Sequence, residues 1–127
     1  MNDDVVRAMY DAIAGADIPA FTALLDADVR WTVPGNHALA GTFEGVPALL
    51  AHLAEVFQAT GGHVVVDVRD VVSGDHFTVA VVDVRMTVDG VTVDDSQVHL
   101  FEVSNGRITS VREYHGDEAA FARLFSA

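Results

Sequence analysis

The chain contains no cysteine, so neither a disulfide nor a thiolate-bound metal is open to it, and nothing points to an oxidising compartment. It also has no lysine: its 7 basic residues are all arginine, against 19 Asp and Glu. Phosphate neutralisation needs a clustered basic surface, and a net charge of −12 excludes nucleic acid and anionic membranes as expected partners. Proline and glycine are nowhere concentrated, which argues against low complexity or disorder. No uncharged apolar run approaches the ~20 residues of a membrane span. The opening MNDDVVRAMYDA is acidic and lacks the basic-then-apolar order of a secretory signal. A soluble cytoplasmic protein is the expectation. What is present is valine in abundance: half of the 127 residues are hydrophobic, enough for a single domain over 1–127 with one substantial core.

The first hundred-odd positions change period once. Val5, Val6, Met9, Tyr10 and Ile13 are spaced for a helix that Gly15 stops, and Asp17 with Pro19 opens a short helix carrying Phe21, Leu24 and Leu25. DVRWTVPG alternates Val29, Trp31 and Val33 as a short strand before the loop GNHALAGTFEG. Pro47 then starts a third helix with Leu49, Leu50, Leu53, Val56 and Phe57 on one stripe. From His63 onward β-branched runs punctuated by SGD, VDG and SNG predict four strands, about 63–73, 76–88, 91–103 and 107–115. Asp117 caps a last short helix bearing Phe121, Leu124 and Phe125. Helices first and an antiparallel meander afterwards define an α+β fold with helices covering one sheet face.

WTVPGNHALAGTFEGVPALLAHL and HLFEVSNGRITSVREYHGD, within this order of elements, resemble the nuclear-transport-factor-2-like superfamily, in its SnoaL-like and ketosteroid-isomerase-like branch. The resemblance covers essentially the whole chain. It implies a cystatin-like α+β roll, a curved antiparallel sheet wrapped around N-terminal helices to form a cone-shaped cavity. The superfamily includes isomerases, cyclases, hydrolases, dehydratases and plain binders, so the chemistry has to be read from the site.

Facing depends on the SNG turn, because a one-residue slip turns every side chain over. A two-residue Asn105-Gly106 loop pairs Ser104 with Arg107 and puts His99 opposite Arg112. A three-residue loop with Gly106 left-handed pairs Val103 with Arg107, His99 with Val111 and Gln97 with Glu113. The resemblance favours the second, with Gln97, His99, Phe101, Val111, Glu113 and His115 on the concave face. Val98, Leu100, Ile108, Arg112 and Tyr114 then form an apolar outer face that a homodimer would cover. In the preceding strand Val82, Val84, Met86 and Val88 alternate with Asp83, Arg85 and Thr87. Alternation alone puts the charges in solvent, whereas by resemblance to the limonene-epoxide hydrolases Asp83 and Glu113 match two catalytic carboxylates in the cavity.

On that reading Asp83 and Glu113 are the proton carriers, Arg85 is their electrostatic partner, and His99, placed like the protonated acid of the isomerases' oxyanion hole, donates to developing negative charge. Tyr10, Trp31, His37, Phe57, Gln97, Phe101 and His115 are the expected ligand contacts. Val33 stands where the isomerases carry their base and the epoxide hydrolases their water-holding asparagine, and Val81 replaces the latter's arginine. His52 and Glu55 form half of a di-iron pair without a second half, Asp94-Asp95 reads as a solvated strand end, and no metal or cofactor is expected. The expected function is general acid-base catalysis on a small apolar organic molecule. The alternative is a non-catalytic binder using the same cavity.

Overall fold

In the computed structural model, which describes residues 2–125, ten elements follow one another. They are α1 (Asn2–Ala14), α2 (Ile18–Ala23), β1 (Leu25–Val33), β2 (Gly41–Glu44), α3 (Val46–Thr60), β3 (Val64–Ser73), β4 (Thr78–Val88), β5 (Val91–Ser104), β6 (Arg107–His115) and α4 (Glu118–Leu124). The helix starts follow the expected chemistry. Asp17 accepts from the Ala20 N–H at 3.1 Å and Asp117 from the Ala120 N–H at 3.0 Å, each satisfying a donor the first turn leaves unpaired. α3 ends at Gly61, whose left-handed φ of 60° turns the chain toward β3.

The six strands form one curved, unclosed sheet in the order β2-β1-β6-β5-β4-β3. All neighbours are antiparallel except β1 and β6, which run parallel with Trp31 beside Val111. Two expectations need correction here. Leu25 opens β1, pairing with Ile108, instead of closing the second helix. The predicted loop GNHALAGTFEG contains β2, where Phe43 pairs with Trp31. Four residues are too few for a period to declare itself.

The β5–β6 hairpin takes neither of the two simple registers. Asn105 and Gly106 have φ of 53° and 76°, a two-residue turn of the mirror-image type that matches strand twist, and Ser104 pairs with Arg107. Two residues later Thr109 is squeezed out as a bulge, since Val103 faces Ile108 but Glu102 faces Ser110. The Thr109 hydroxyl donates to the Glu102 carbonyl at 3.1 Å, within the irregular step. From there His99 pairs with Glu113 and Gln97 with His115. The concave assignment of these side chains therefore holds, but the bulge produces it and the three-residue loop does not exist. The same bulge reverses Ile108, expected on the outer face, and buries it completely. A second bulge at Arg69 bends β3 against β4, and the bent sheet wraps α1 and α3.

Asp83 and Arg85 lie on the convex face, which corrects the placement suggested by the resemblance. Val82 and Val84 take the inward positions of β4 and are buried, so strict alternation leaves the charged neighbours outside. Asp83 accepts from Arg69 at 2.8 Å and from the Ser96 hydroxyl at 2.9 Å, and Arg85 donates to Asp94 at 2.7 Å. The Arg69 and Ser96 hydrogen bonds hold the Asp83 carboxyl below its ordinary range, the opposite of a carboxyl poised to donate.

Candidate functional site

A cavity of about 530 Å³ opens between the concave sheet face and α1, α3 and α4. α1 contributes Tyr10 and Ile13, and α3 contributes Leu53, Val56 and the half-exposed Phe57. Val33, Val66, Val84 and Met86 supply a floor of aliphatic strand residues, and Phe121 and Phe125 close one side. Polar side chains gather on β5 and β6.

There the cross-strand pairs His99–Glu113 and Gln97–His115 make a two-by-two polar array on one face. Side chains directly opposite in an antiparallel pair stand about 5 Å apart at Cβ, so the array acts as one electrostatic unit. Glu113 is its charged member. The Trp31 indole N–H donates to Glu113 Oε2 at 2.7 Å, and His115 Nε2 lies 2.8 Å from Glu113 Oε1. Burial raises the Glu113 carboxyl, but the His115 hydrogen bond, the His99 ring opposite and the Trp31 hydrogen bond outweigh it, and the group falls below the ordinary carboxylate range. Its side chain remains 16% exposed, against 4% for His115. The carboxylate thus reaches the cavity while its partner backs it from behind.

His99 heads a second chain. Tyr10 Oη is 2.5 Å from His99 Nδ1, His99 Nε2 is 2.8 Å from Gln97 Oε1, and Gln97 Nε2 donates to Asp95 Oδ2 at 3.3 Å. The Gly116 N–H also donates to Asp95 Oδ2, at 3.2 Å. Burial pushes the His99 imidazole down and keeps it neutral, and burial pushes the Tyr10 phenol up, with the Glu113 charge adding to it. A neutral ring whose Nε2–H goes to Gln97 has no hydrogen left to give a ligand, so the expected donor role of His99 is not supported by the resting geometry.

The other predicted contacts divide. Tyr10, Trp31, Phe57, Gln97 and His115 line the cavity. Phe101 does not: it is completely buried beneath Tyr10, meeting its ring edge-on at 6.0 Å between centroids. His37 lies outside the lining, with its ring 5.5 Å from that of Phe125 and its Nδ1 accepting from the Leu39 N–H at 3.2 Å. Two side chains were missed. Asp95 is buried rather than a solvated strand end, and its parity with Gln97, His99 and Phe101 on β5 was the available signal. His52 sits on the α3 stripe between Leu49 and Val56, stacks on Phe43 at 4.0 Å and lines the cavity. Burial lowers its imidazole, and its Nδ1 has no partner. Among the described residues no three His, Asp or Glu side chains gather as a metal site.

Gly116 is fixed by close approach. A Cβ there would lie 2.7 Å from both Asp95 Oδ1 and the Ser96 carbonyl, one of them backbone that cannot swing away. Gly116→Ala is expected to cost about 1–3 kcal/mol by forcing the β6 end off β5, read as a lowered urea midpoint. An unchanged midpoint would show that this contact constrains nothing.

These features coincide with a known architecture. Residues 6–111 match the SnoaL-like domain, and the chain belongs to that family. It is 37% identical over 118 residues to an uncharacterized protein of Mycobacterium tuberculosis, Rv0034, covering 92% of this chain and 90% of that one. Among solved structures, Bal32a from a soil-derived mobile gene cassette superposes with a TM-score of 0.94 at 26% identity, over 98% of this chain and 95% of its own. An NTF2-like protein of unknown function from Burkholderia pseudomallei superposes at 0.88 and 26% identity, over 100% of this chain and 99% of its own. The fold is therefore NTF2-like. Among the described residues no helix is long and apolar enough to cross a membrane.

Proposed function

We propose that this protein is a general acid-base enzyme acting on a small, largely apolar molecule, with Glu113 as the proton carrier. One observation carries this: the Glu113 carboxylate, buttressed by Trp31 and His115, stands at the polar end of a largely aliphatic and aromatic cavity. The hydrogen bonds that keep this carboxylate ionised also make it a weaker base than one in water, so its catalytic advantage comes from holding the substrate's C–H against it in the cavity, which replaces a random encounter with a fixed one. The reaction class is proton abstraction next to a carbonyl, with the resulting carboxylic acid returning the proton at the same or a neighbouring atom. Isomerisation, cyclisation and dehydration all contain that step. Asp83 takes no part, since it belongs to the Arg69 ion pair outside.

The test is exchange of deuterium from solvent into an enolisable bicyclic ketone, β-tetralone and its hydroxylated derivatives, followed by proton NMR. Catalysed exchange is expected, steady across neutral pH and falling on acidification. The sign follows from Glu113: the base form is populated above its lowered pKa and lost as pH drops through it. Background exchange for the whole series would leave the second reading, a binder whose polar array only orients its ligand. That reading draws on the displacement of Asp83 from the cavity, which leaves one predicted carboxylate there.

The convex sheet face supports a homodimer. Val81, Val98 and Tyr114 are aligned across β4, β5 and β6 and exposed at 39, 38 and 51%, with Leu100 in the adjoining row. Arg69–Asp83 and Arg85–Asp94 pairs border this stripe as a polar rim would. Val98→Asp is expected to convert a dimer to a monomer in size-exclusion light scattering, by placing a charge in the apolar row. A monomeric wild-type chain would dismiss the proposal.

A further inference from the structure

The hydrogen-bond chain behind Tyr10 has a direction, and the direction specifies what the cavity can recognise. Asp95 Oδ2 receives both the Gln97 amide and the Gly116 N–H, so this end of the chain is acceptor only. Gln97 must therefore turn its NH₂ toward Asp95 and its Oε1 toward His99. A carbonyl oxygen facing His99 Nε2 demands a hydrogen there, which leaves Nδ1 of the neutral ring as an acceptor and draws the Tyr10 hydroxyl hydrogen inward. On the neighbouring strand, Trp31 Nε1–H and His115 Nε2–H are likewise consumed by Glu113. Apart from the second amide hydrogen of Gln97, the donors of this array point into the protein. What remains for a bound molecule at this end is mainly acceptors, the lone pair of Tyr10 Oη and the free lone pairs of the Glu113 carboxylate, with one Gln97 amide hydrogen beside them and the His52 ring across the cavity on α3.

We infer that Asp95 is a positioning residue which, through Gln97 and His99, holds Tyr10 as an acceptor, so that the cavity selects a flat, ring-bearing molecule carrying an acidic hydroxyl, a phenol or enol. This rests on the reading that the cavity is the substrate site and narrows its substrate class. The flatness follows from the aromatic walls Trp31, Phe57 and Phe121. The hydroxyl on an unsaturated carbon follows from the acceptors: it is a better donor than an alkyl alcohol to a carboxylate and a phenolic oxygen. A ketone oxygen is repelled from this end, so a substrate's carbonyl lies away from it and the carbon beside the carbonyl faces Glu113.

The test uses the full chain and a non-reacting probe, β-naphthol, with its methyl ether as the comparison. Nitrogen-15 NMR of the histidine rings should show His99 protonated at Nε2 and bare at Nδ1 in the wild type. β-Naphthol should bind roughly tenfold more tightly than the ether, the worth of one hydrogen bond that the ether cannot make. Asp95→Asn keeps an acceptor for Gln97 and Gly116 and should keep both readouts. Asp95→Val should mix the His99 tautomers and erase most of the preference. A wild-type His99 protonated at Nδ1, equal affinity for naphthol and ether, or an Asp95→Val protein retaining both tautomer and preference would each overturn the inference. If the valine variant fails to fold, the wild-type tautomer and preference still decide. None of these readouts involves turnover, so a failure here leaves the Glu113 proposal standing, and an absence of deuterium exchange leaves the tautomer result standing.

Discussion

Glu113→Gln is expected to lower the rate of deuterium exchange into β-tetralone by about 10² to 10⁴-fold, the usual contribution of a positioned acid or base. The substitution keeps the shape of the side chain and removes its charge, its basicity and one acceptor oxygen. Two donors, Trp31 N–H and His115 Nε2–H, converge on the carboxylate, and an amide can accept only one of them through its oxygen. His115 can accommodate the other by moving its hydrogen to Nδ1, which has no partner in the present arrangement. The fold should therefore survive with a loss of about 1–3 kcal/mol, and a thermal melt separates that loss from the catalytic one. The variant should also lose the acid limb of the wild-type pH profile. A rate within a factor of two or so of wild type would remove Glu113 from the chemistry.

Phe101→Ala should produce the largest loss of stability among the site-related changes, about 3–5 kcal/mol in urea denaturation. The side chain is completely buried, and the cavity left behind would lie under Tyr10, whose ring Phe101 meets at an interplanar angle of 78°. Tyr10 then loses the support that holds its hydroxyl against His99. Phe101→Leu, which fills more of the space, should fall between alanine and wild type. Were Phe101 a ligand contact, as its strand position suggests, alanine would instead enlarge the cavity and change affinity at little cost to folding. A loss below about 1 kcal/mol would favour that reading.

Two of the sequence expectations that failed at the site failed for different reasons. Period-two alternation in VVDVRM was right about Asp83 and Arg85, and the resemblance to other enzymes of the superfamily was misleading, because in this chain valines occupy the inward positions of β4. The β5–β6 register shows the converse. The turn dipeptide Asn105-Gly106 forms its commonest hairpin, as turn chemistry allows, yet the faces beyond it are reversed by the extra residue at Thr109. A bulge is a property of two strands at once, and a single strand's pattern does not encode it. The helix starts at Asp17 and Asp117 and the stop at Gly15 were legible because those residues act locally. Asp95 carried a parity signal, but an acidic pair near a strand's start invites the solvated reading, which its burial and its Gln97 and Gly116 contacts overturn.

The claim that Glu113 is an ionised base at the polar end of a ligand-holding cavity is tested most directly by carbon-13 NMR of the glutamate carboxyls during a pH titration, with and without β-naphthol. Glu113 is expected to titrate below the ordinary glutamate value in the free protein, and its resonance should move when the ligand binds. A Glu113 that titrates at or above the ordinary value, or whose signal ignores a bound ligand, would contradict it.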